Sequence, residues 1–256
     1  MTGPAAQRWA NLQSGRGVPP EILAAAPADP WGHETRDFAA RAVPADTPSR
    51  VAGLGMLGDG GTVLDVGCGG GDAAFALIGP ATHLTGVDQQ QDMLETFAAG
   101  ATARGVPHRA VLGRWPDAAA EAGVADVVVS HHVLHNVIDL PSFVAALTAA
   151  ARRGVVVEMF AQHPMAWLDP LWVRFHDLHR PPSATTDDAV AVLRELGISP
   201  DVARWELADP PRQDPVGVTR RLCLPPERVA EVDSALGEIP ARPRWAATLA
   251  WHSGRP

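Results

Sequence analysis

The chain has 256 residues, room for one large α/β domain or one domain with an added cap. Its 46% hydrophobic and 20% charged residues suit a globular core, no apolar run approaches the roughly 20 residues needed to cross a membrane, and Met1 to Arg8 show no basic-then-apolar leader. A formal net charge of −8 without a lysine or arginine block disfavours a nucleic-acid partner, and two cysteines, Cys68 and Cys223, cannot build a disulfide framework, so a reducing cytoplasm is expected.

Residues 1–46 are broken by Pro19-Pro20, Pro27, Pro30 and Pro44. Short helices are predicted at Ala6–Leu12, Glu21–Ala26 and Glu34–Ala42, with Trp9, Trp31 and Phe38 as apolar anchors. This stretch reads as an N-terminal arm or cap, and residues 47–256 as the main domain. Thr47-Pro48 is an N-cap followed by proline at the first helical position. Val51, Leu54 and Leu57 then recur at helical spacing, and the glycines from Gly58 end the helix.

Val63–Val66 is a short apolar strand running into Gly67-Cys68-Gly69-Gly70-Gly71-Asp72. Asp72 opens a helix that Gly79-Pro80 stops. Strand, glycine turn and helix N-terminus form the nucleotide-binding corner of a doubly wound sheet. Gly69, Gly71 and Ala74 satisfy a loose dinucleotide pattern, while Gly67, Gly69 and Gly71 satisfy G-x-G-x-G with Asp65 in the strand before it. A carboxylate there is a poor neighbour for a pyrophosphate and a good one for a cationic, amine-bearing ligand.

His83–Asp88 is the second strand. Its terminal acid lies about 17 positions past Gly71, near the spacing of a ribose-binding carboxylate. The competing reading is an Asp that caps the next helix. That helix, Gln90–Ala103, carries Met93, Leu94, Phe97, Ala98 and Ala101 on one face. His108–Leu112 is the third strand, followed by Gly113-Arg114-Trp115-Pro116-Asp117. Ala125–Ser130 is a continuous apolar run fit for a buried parallel strand. His131, His132 and His135 follow at its carboxyl end, where open α/β sheets bind ligands. H-H-x-x-H invites zinc, but no Cys ligand lies close by and only Asp139 follows, so no metal is expected.

Asp139 caps a helix running to about Arg153 and ending at Gly154, and Val155–Met159 is the fifth strand. Between 160 and 182, Phe160, His163, Trp167, Trp172, Phe175, His176 and His179 concentrate flat side chains on the ligand side of the sheet. They read either as core or as a substrate-facing wall. A helix at 186–196, strands at Val202–Leu207 and Ala246–His252, a β segment at Arg220–Leu224 and a helix at Pro226–Leu236 complete the chain.

The Asp65–Gly71 stretch resembles motif I of the class I S-adenosylmethionine (SAM)-dependent methyltransferases, and Ala125–Ser130 resembles their motif IV. The resemblance covers roughly residues 47–160. It implies a doubly wound, mostly parallel seven-stranded α/β sheet of Rossmann-like methyltransferase fold, with SAM as cofactor and S-adenosylhomocysteine as product. It implies that Asp65, Gly67, Cys68, Gly69, Gly71, Asp88, Gln89, Met93, Trp115, Ser130 and His131 line the cofactor. Arg114 stands where the family usually has an acid, so Arg114 joins the cofactor set as a departure. The reaction expected is transfer of the sulfonium methyl to a small molecule by in-line displacement. His131, His132 and His135 are the catalytic candidates, and Glu158, His163, Trp167, Trp172 and His176 the substrate-binding ones. Rival readings are an NAD(P)-dependent oxidoreductase and a non-catalytic SAM-binding protein.

Overall fold

A computed structural model describes residues 3–30, 46–207, 213–240 and 244–254. A single seven-stranded sheet has the order β3-β2-β1-β4-β5-β7-β6. Its strands are β1 (Gly61–Val66), β2 (Ala81–Asp88), β3 (His108–Leu112), β4 (Ala125–His131), β5 (Ala151–Phe160), β6 (Asp201–Leu207) and β7 (Arg244–His252). β1 to β5 pair in parallel, and β7 runs antiparallel between β5 and β6. The strand order reverses between β1 and β4, which places the crevice for a ligand at their carboxyl ends.

The central strands read as unbroken apolar runs because both of their faces are covered. Leu64, Val66, Val128, Val155 and Val157 pack into one cluster; Val63, Val127, Val129 and Val156 pack into another on the opposite face. The first is closed by α1 (Pro4–Ser14), α7 (Leu140–Ala150) and α9 (Thr186–Glu195). The second is closed by α3 (Pro48–Leu57), α4 (Asp72–Phe75) and α5 (Gln91–Ala103). The small α6 (Ala119–Ala122) leads into β4. The Thr47 hydroxyl accepts from the Arg50 amide with Pro48 behind it, as the cap pattern predicts.

A third apolar cluster lies apart from the sheet. It joins α8 (Asp169–His176), α10 (Pro215–Arg221) and α11 (Val229–Glu238), with Ile22 of α2 (Pro20–Ala24) against it. In the N-terminal stretch, Trp9 is fully buried and its indole donates to Val137 O at 2.7 Å, so α1 is part of the main core. The helix expected at 34–42, with Trp31 and Phe38, lies outside the described residues.

Four elements differ from expectation. The helix opened by Asp72 ends at Phe75, ahead of the Gly79-Pro80 stop, and continues only as turns. The α7 helix stops at Ala150 and β5 starts at Ala151, so Gly154 is a strand residue and not a helix stop. A Cβ on Gly154 would sit 2.6 Å from the Met56 sulfur and 2.7 Å from Trp251 O, so close approach selects glycine there. The β segment expected at Arg220–Leu224 is instead the end of α10, whose Asp214 carboxylate caps the Val216 and Gly217 amides. The alternating Arg-Leu-Cys-Leu pattern begins in a helix and ends in a turn, with Cys223 at φ +56°. The helix expected from Pro226 begins as a short 3₁₀ turn and becomes α11 only at Val229.

Candidate active site

The glycine loop leaves β1 at the crevice. The Gly67 and Cys68 amides donate to Val87 O at 2.8 and 3.0 Å, folding the loop over the end of β2. Gly67, Gly69 and Gly71 have φ of +71°, +48° and +97°, the left-handed region that favours glycine. At Gly67 a Cβ would also lie 2.4 Å from Val133 Cγ2. Asp88, at the end of β2, accepts from the Gly69 amide through Oδ2 at 2.9 Å and from the Gln90 amide through Oδ1 at 3.0 Å. The carboxylate therefore locks the loop and the entry to α5 together, and each oxygen keeps a lone pair for a further donor. Gln89 is exposed beside it, and Met93 is buried in the first turns of α5.

Asp65 is fully buried. Its Oδ2 accepts from the Ala74 amide at 3.0 Å, and among the described residues its Oδ1 has no hydrogen-bond partner. Burial raises its pKa to about 7, Asp88 and Asp72 add to this, and the Ala74 amide opposes it. A buried acid with an open oxygen suits a cationic ligand group.

The rest of the expected cofactor set divides. The Cys68 side chain packs in the core, where burial pushes its thiol pKa up, so only its backbone faces the loop. A Cβ on Gly71 would meet the Phe75 ring at 2.5 Å and Phe97 at 2.9 Å, so that glycine serves helix packing and not ligand approach. Trp115 is buried in the main core with its indole donating to Phe143 O at 3.3 Å, which makes it a core tryptophan. Ser130 is fully buried and its hydroxyl donates to Val66 O at 3.0 Å, tying β4 to β1. Arg114 is exposed on the turn after β3.

The histidines gather around Glu158. Register pairing of β4 with β5 sets His131 opposite Glu158. The His132 Nε2 lies 3.1 Å from Glu158 Oε1, and the His131 Nδ1 lies 4.0 Å from Oε2. The Ser49 hydroxyl, at the start of α3, donates to the same Oε2. Burial works against the Glu158 charge, but the His132 and Ser49 hydrogen bonds and the nearby His131 hold its pKa down to about 2. His132 has φ +60°, a left-handed position that histidine enters more readily than most residues, and its amide donates to Glu158 O at 2.7 Å.

Phe160 extends this cluster into a wall. His132 stacks on it at 4.3 Å between ring centres and His135 at 6.2 Å, while His163 meets His135 edge-on at 5.6 Å. Burial lowers the pKa of His131 to about 4 and of His135 to about 3. His163 falls to about 4, through burial first and then Arg16 and Arg180. Neither His135 nitrogen makes a well-formed hydrogen bond among the described residues, although the Phe160 backbone is near enough to favour its charged form slightly. The Met165 amide donates to His163 Nδ1 at 3.0 Å, which leaves the proton on Nε2.

Of the substrate candidates, Glu158 and His163 join this cluster. Trp172 is 1% exposed inside the third apolar cluster, and Trp167 packs against it from outside. The His176 Nε2 is 2.7 Å from Leu222 O. The substrate wall expected from Trp167, Trp172 and His176 is thus the packed interface of the α8–α10–α11 cluster. Among the described residues no three His, Cys, Asp or Glu side chains are placed to hold a metal ion. Sequence reading missed Ser49, whose cap-adjacent position gives no hint of a partner 109 residues away.

Comparison with known proteins bears on the family and the fold. Residues 63–154 match the methyltransferase domain family. A ubiquinone biosynthesis O-methyltransferase of Methylobacterium nodulans is 34% identical over 94 residues, 36% of this chain and 37% of that protein. One from Sodalis glossinidius is 31% identical over 133 residues, 50% of this chain and 53% of its own length. The chain thus spans about half or less of the curated relatives it matches. Among solved structures, the YcgJ protein of Bacillus subtilis superposes with a TM-score of 0.55 at 17% identity, covering 81% of this chain and 98% of that one. The magnesium protoporphyrin IX methyltransferase of Synechocystis with bound S-adenosylhomocysteine gives 0.53 at 15%, covering 100% and 95%. The strand order, the glycine loop and the family match agree that residues 63–154 belong to a methyltransferase domain of the S-adenosylmethionine-dependent, Rossmann-like kind.

Proposed function

We propose that the whole chain is a SAM-dependent methyltransferase acting on a hydroxyl oxygen of a small molecule. The observation that carries this is the Glu158 carboxylate, clamped by Ser49 and His132 at the strand ends beside the glycine loop. The O-methyltransferase names of the relatives support the oxygen acceptor. When bound, SAM supplies an electrophilic methyl group on a sulfonium. Its ribose is assigned to Asp88, its amino group to Asp65 Oδ1, and its close approach to Gly67 and Gly69.

The chain's own part is to position the acceptor and take its proton. With Glu158 ionised, its Oε1 holds a proton on His132 Nε2, so the lone pair is on Nδ1. That nitrogen, on a partly exposed side chain, is available to accept the proton of an incoming hydroxyl. His131 and His135, kept neutral by burial, line the site without adding charge. Phe160 is taken up on its faces by the stacked His132 ring and by Arg244, 5.2 Å over it, and so holds His132 in place.

The domain division carries over as a proposal: residues 1–46 as an arm, of which α1 packs on the sheet layer, and 47–256 as the main domain. A cytoplasmic location and a small-molecule rather than nucleic-acid partner rest on composition. No described helix is long and apolar enough to cross a membrane.

The test is methyl transfer from radiolabelled SAM to a panel of small phenols and alcohols, with Glu158→Gln beside the wild type. The variant should bind SAM normally by calorimetry and lose about 10²–10⁴ in turnover, the scale of general-base catalysis. Undiminished turnover in Glu158→Gln, or a wild type that binds no SAM, would refute the assignment.

A further inference from the structure

Among the described residues the buried charges beside His163 do not balance. Arg16 is 7% exposed, and the Arg180 side chain is equally enclosed. Both guanidiniums share one carboxylate: Asp169 takes the Arg16 Nη2 at 2.7 and 3.0 Å and lies 3.9 Å from Arg180 Nη1. Their remaining contacts are neutral. Arg16 Nη1 donates to Pro181 O at 2.5 Å, Arg180 Nη2 donates to Arg16 O at 2.9 Å, and Arg180 lies 4.8 Å over the Trp172 ring. The Nε of each arginine is buried without a hydrogen-bond partner among the described residues. A buried cation is normally paired and its donors satisfied, because desolvating it alone is costly. Among the described residues one positive charge and two N–H donors are left over, in a chain whose acids outnumber its bases 29 to 21.

The surplus is also placed at one end of the aromatic wall. His163 leads edge-on to His135, His135 to Phe160, and Phe160 to His132 and Glu158. Arg221 adds a further guanidinium, 3.8 Å from the sulfur of Met165, whose amide holds His163. The two arginines bear on this imidazole electrostatically, since both oppose its protonation.

We infer that Arg16 and Arg180 recognise an anionic group, a carboxylate or a phosphate monoester, on an aromatic substrate that lies along the histidine wall and whose hydroxyl reaches His132. This rests on the methyltransferase reading above and names its substrate class: an aromatic acid or aryl phosphate. A planar guanidinium pair suits both groups, which accept two parallel hydrogen bonds.

The test uses benzoate, phenyl phosphate and the neutral benzamide as probes, titrated into the full chain with and without S-adenosylhomocysteine. One or both anions should bind at least about tenfold tighter than benzamide, and the tighter of the two identifies the group. In Arg180→Gln that preference should fall to within about twofold while SAM affinity and circular dichroism stay unchanged. Asp169→Asn removes the competing carboxylate and should strengthen anion binding, the reverse of what a purely structural ion pair gives. It also carries the test if Arg180→Gln fails to fold. Equal binding of anions and benzamide by the wild type, a preference that survives in Arg180→Gln, or weaker anion binding in folded Asp169→Asn would overturn the inference. Failure of the wild type to bind SAM would instead strike the methyltransferase reading, since the anion preference is measured without cofactor too.

Discussion

Lowering the pH should destabilise this protein by an amount set by four buried groups. His131, His135 and His163 have pKa values of about 4, 3 and 4, held down chiefly by burial from an ordinary 6.5. In the unfolded chain each takes a proton below about pH 6.5, while in the fold each stays neutral until about pH 4 or lower. Stability from these three is complete above pH 6.5 and is lost as pH falls. Asp65 acts in the opposite sense. Its folded pKa, raised to about 7 by burial, lets the fold take up a proton that the unfolded chain refuses until about pH 4, so stability is gained as pH falls through 7. Between pH 8 and 5.5 each histidine withdraws about 1.4 kcal/mol, about 4 together, and Asp65 returns about 2, at 1.36 kcal/mol per pKa unit. The net loss is about 2 kcal/mol. For a chain of this size it lowers Tm by about 4 °C. His135→Phe keeps a ring against Phe160 and removes one titrating group, which should cut the loss to under about 1 kcal/mol. Thermal melts of both proteins across pH 8 to 5.5 are the assay. A wild-type Tm that holds or rises over that range, or a variant with the full wild-type slope, would show that these histidines do not titrate as buried neutral groups.

Gly67→Val forces a β-branched residue to φ +71° with its Cβ 2.4 Å from Val133, so SAM binding should vanish in calorimetry while far-ultraviolet dichroism is largely kept. Asp88→Ala removes the acceptor of the Gly69 and Gln90 amides and should weaken SAM binding by about 1–3 kcal/mol; unchanged affinity in the folded variant would end the ribose assignment. Trp172→Ala empties a buried site in the α8–α10–α11 cluster and should cost about 3–5 kcal/mol in denaturant melts; a loss under about 1 kcal/mol would show that the cluster is not packed core.

Local chemistry was enough to read the sheet and the cofactor loop from the sequence. A strand buried on both faces must be apolar throughout, a left-handed turn must be glycine, and a helix start needs a cap such as Thr47, so Val63–Gly71, Ala125–Ser130 and α3 were legible directly. The same rules misjudged Gly154 and Arg220–Leu224, because a glycine can answer to a neighbouring strand as well as to a helix end, and short alternation occurs in helices too. What the sequence left open was which face each side chain presents. Trp115, Ser130 and Trp172 have the composition of a binding site, yet the tertiary structure buries them as core or as ties between strands. Glu158 was a candidate from the sequence, but its partners were not: β4–β5 register sets it opposite His131, and the packing of α3 brings Ser49 to it. Arg16 and Arg180, 164 positions apart, became a pair only when α1 and the segment after α8 closed on one carboxylate. Periodicity reports how a residue sits relative to its own element; charge pairing and burial depend on which elements meet, and that is fixed by the packing of the whole chain.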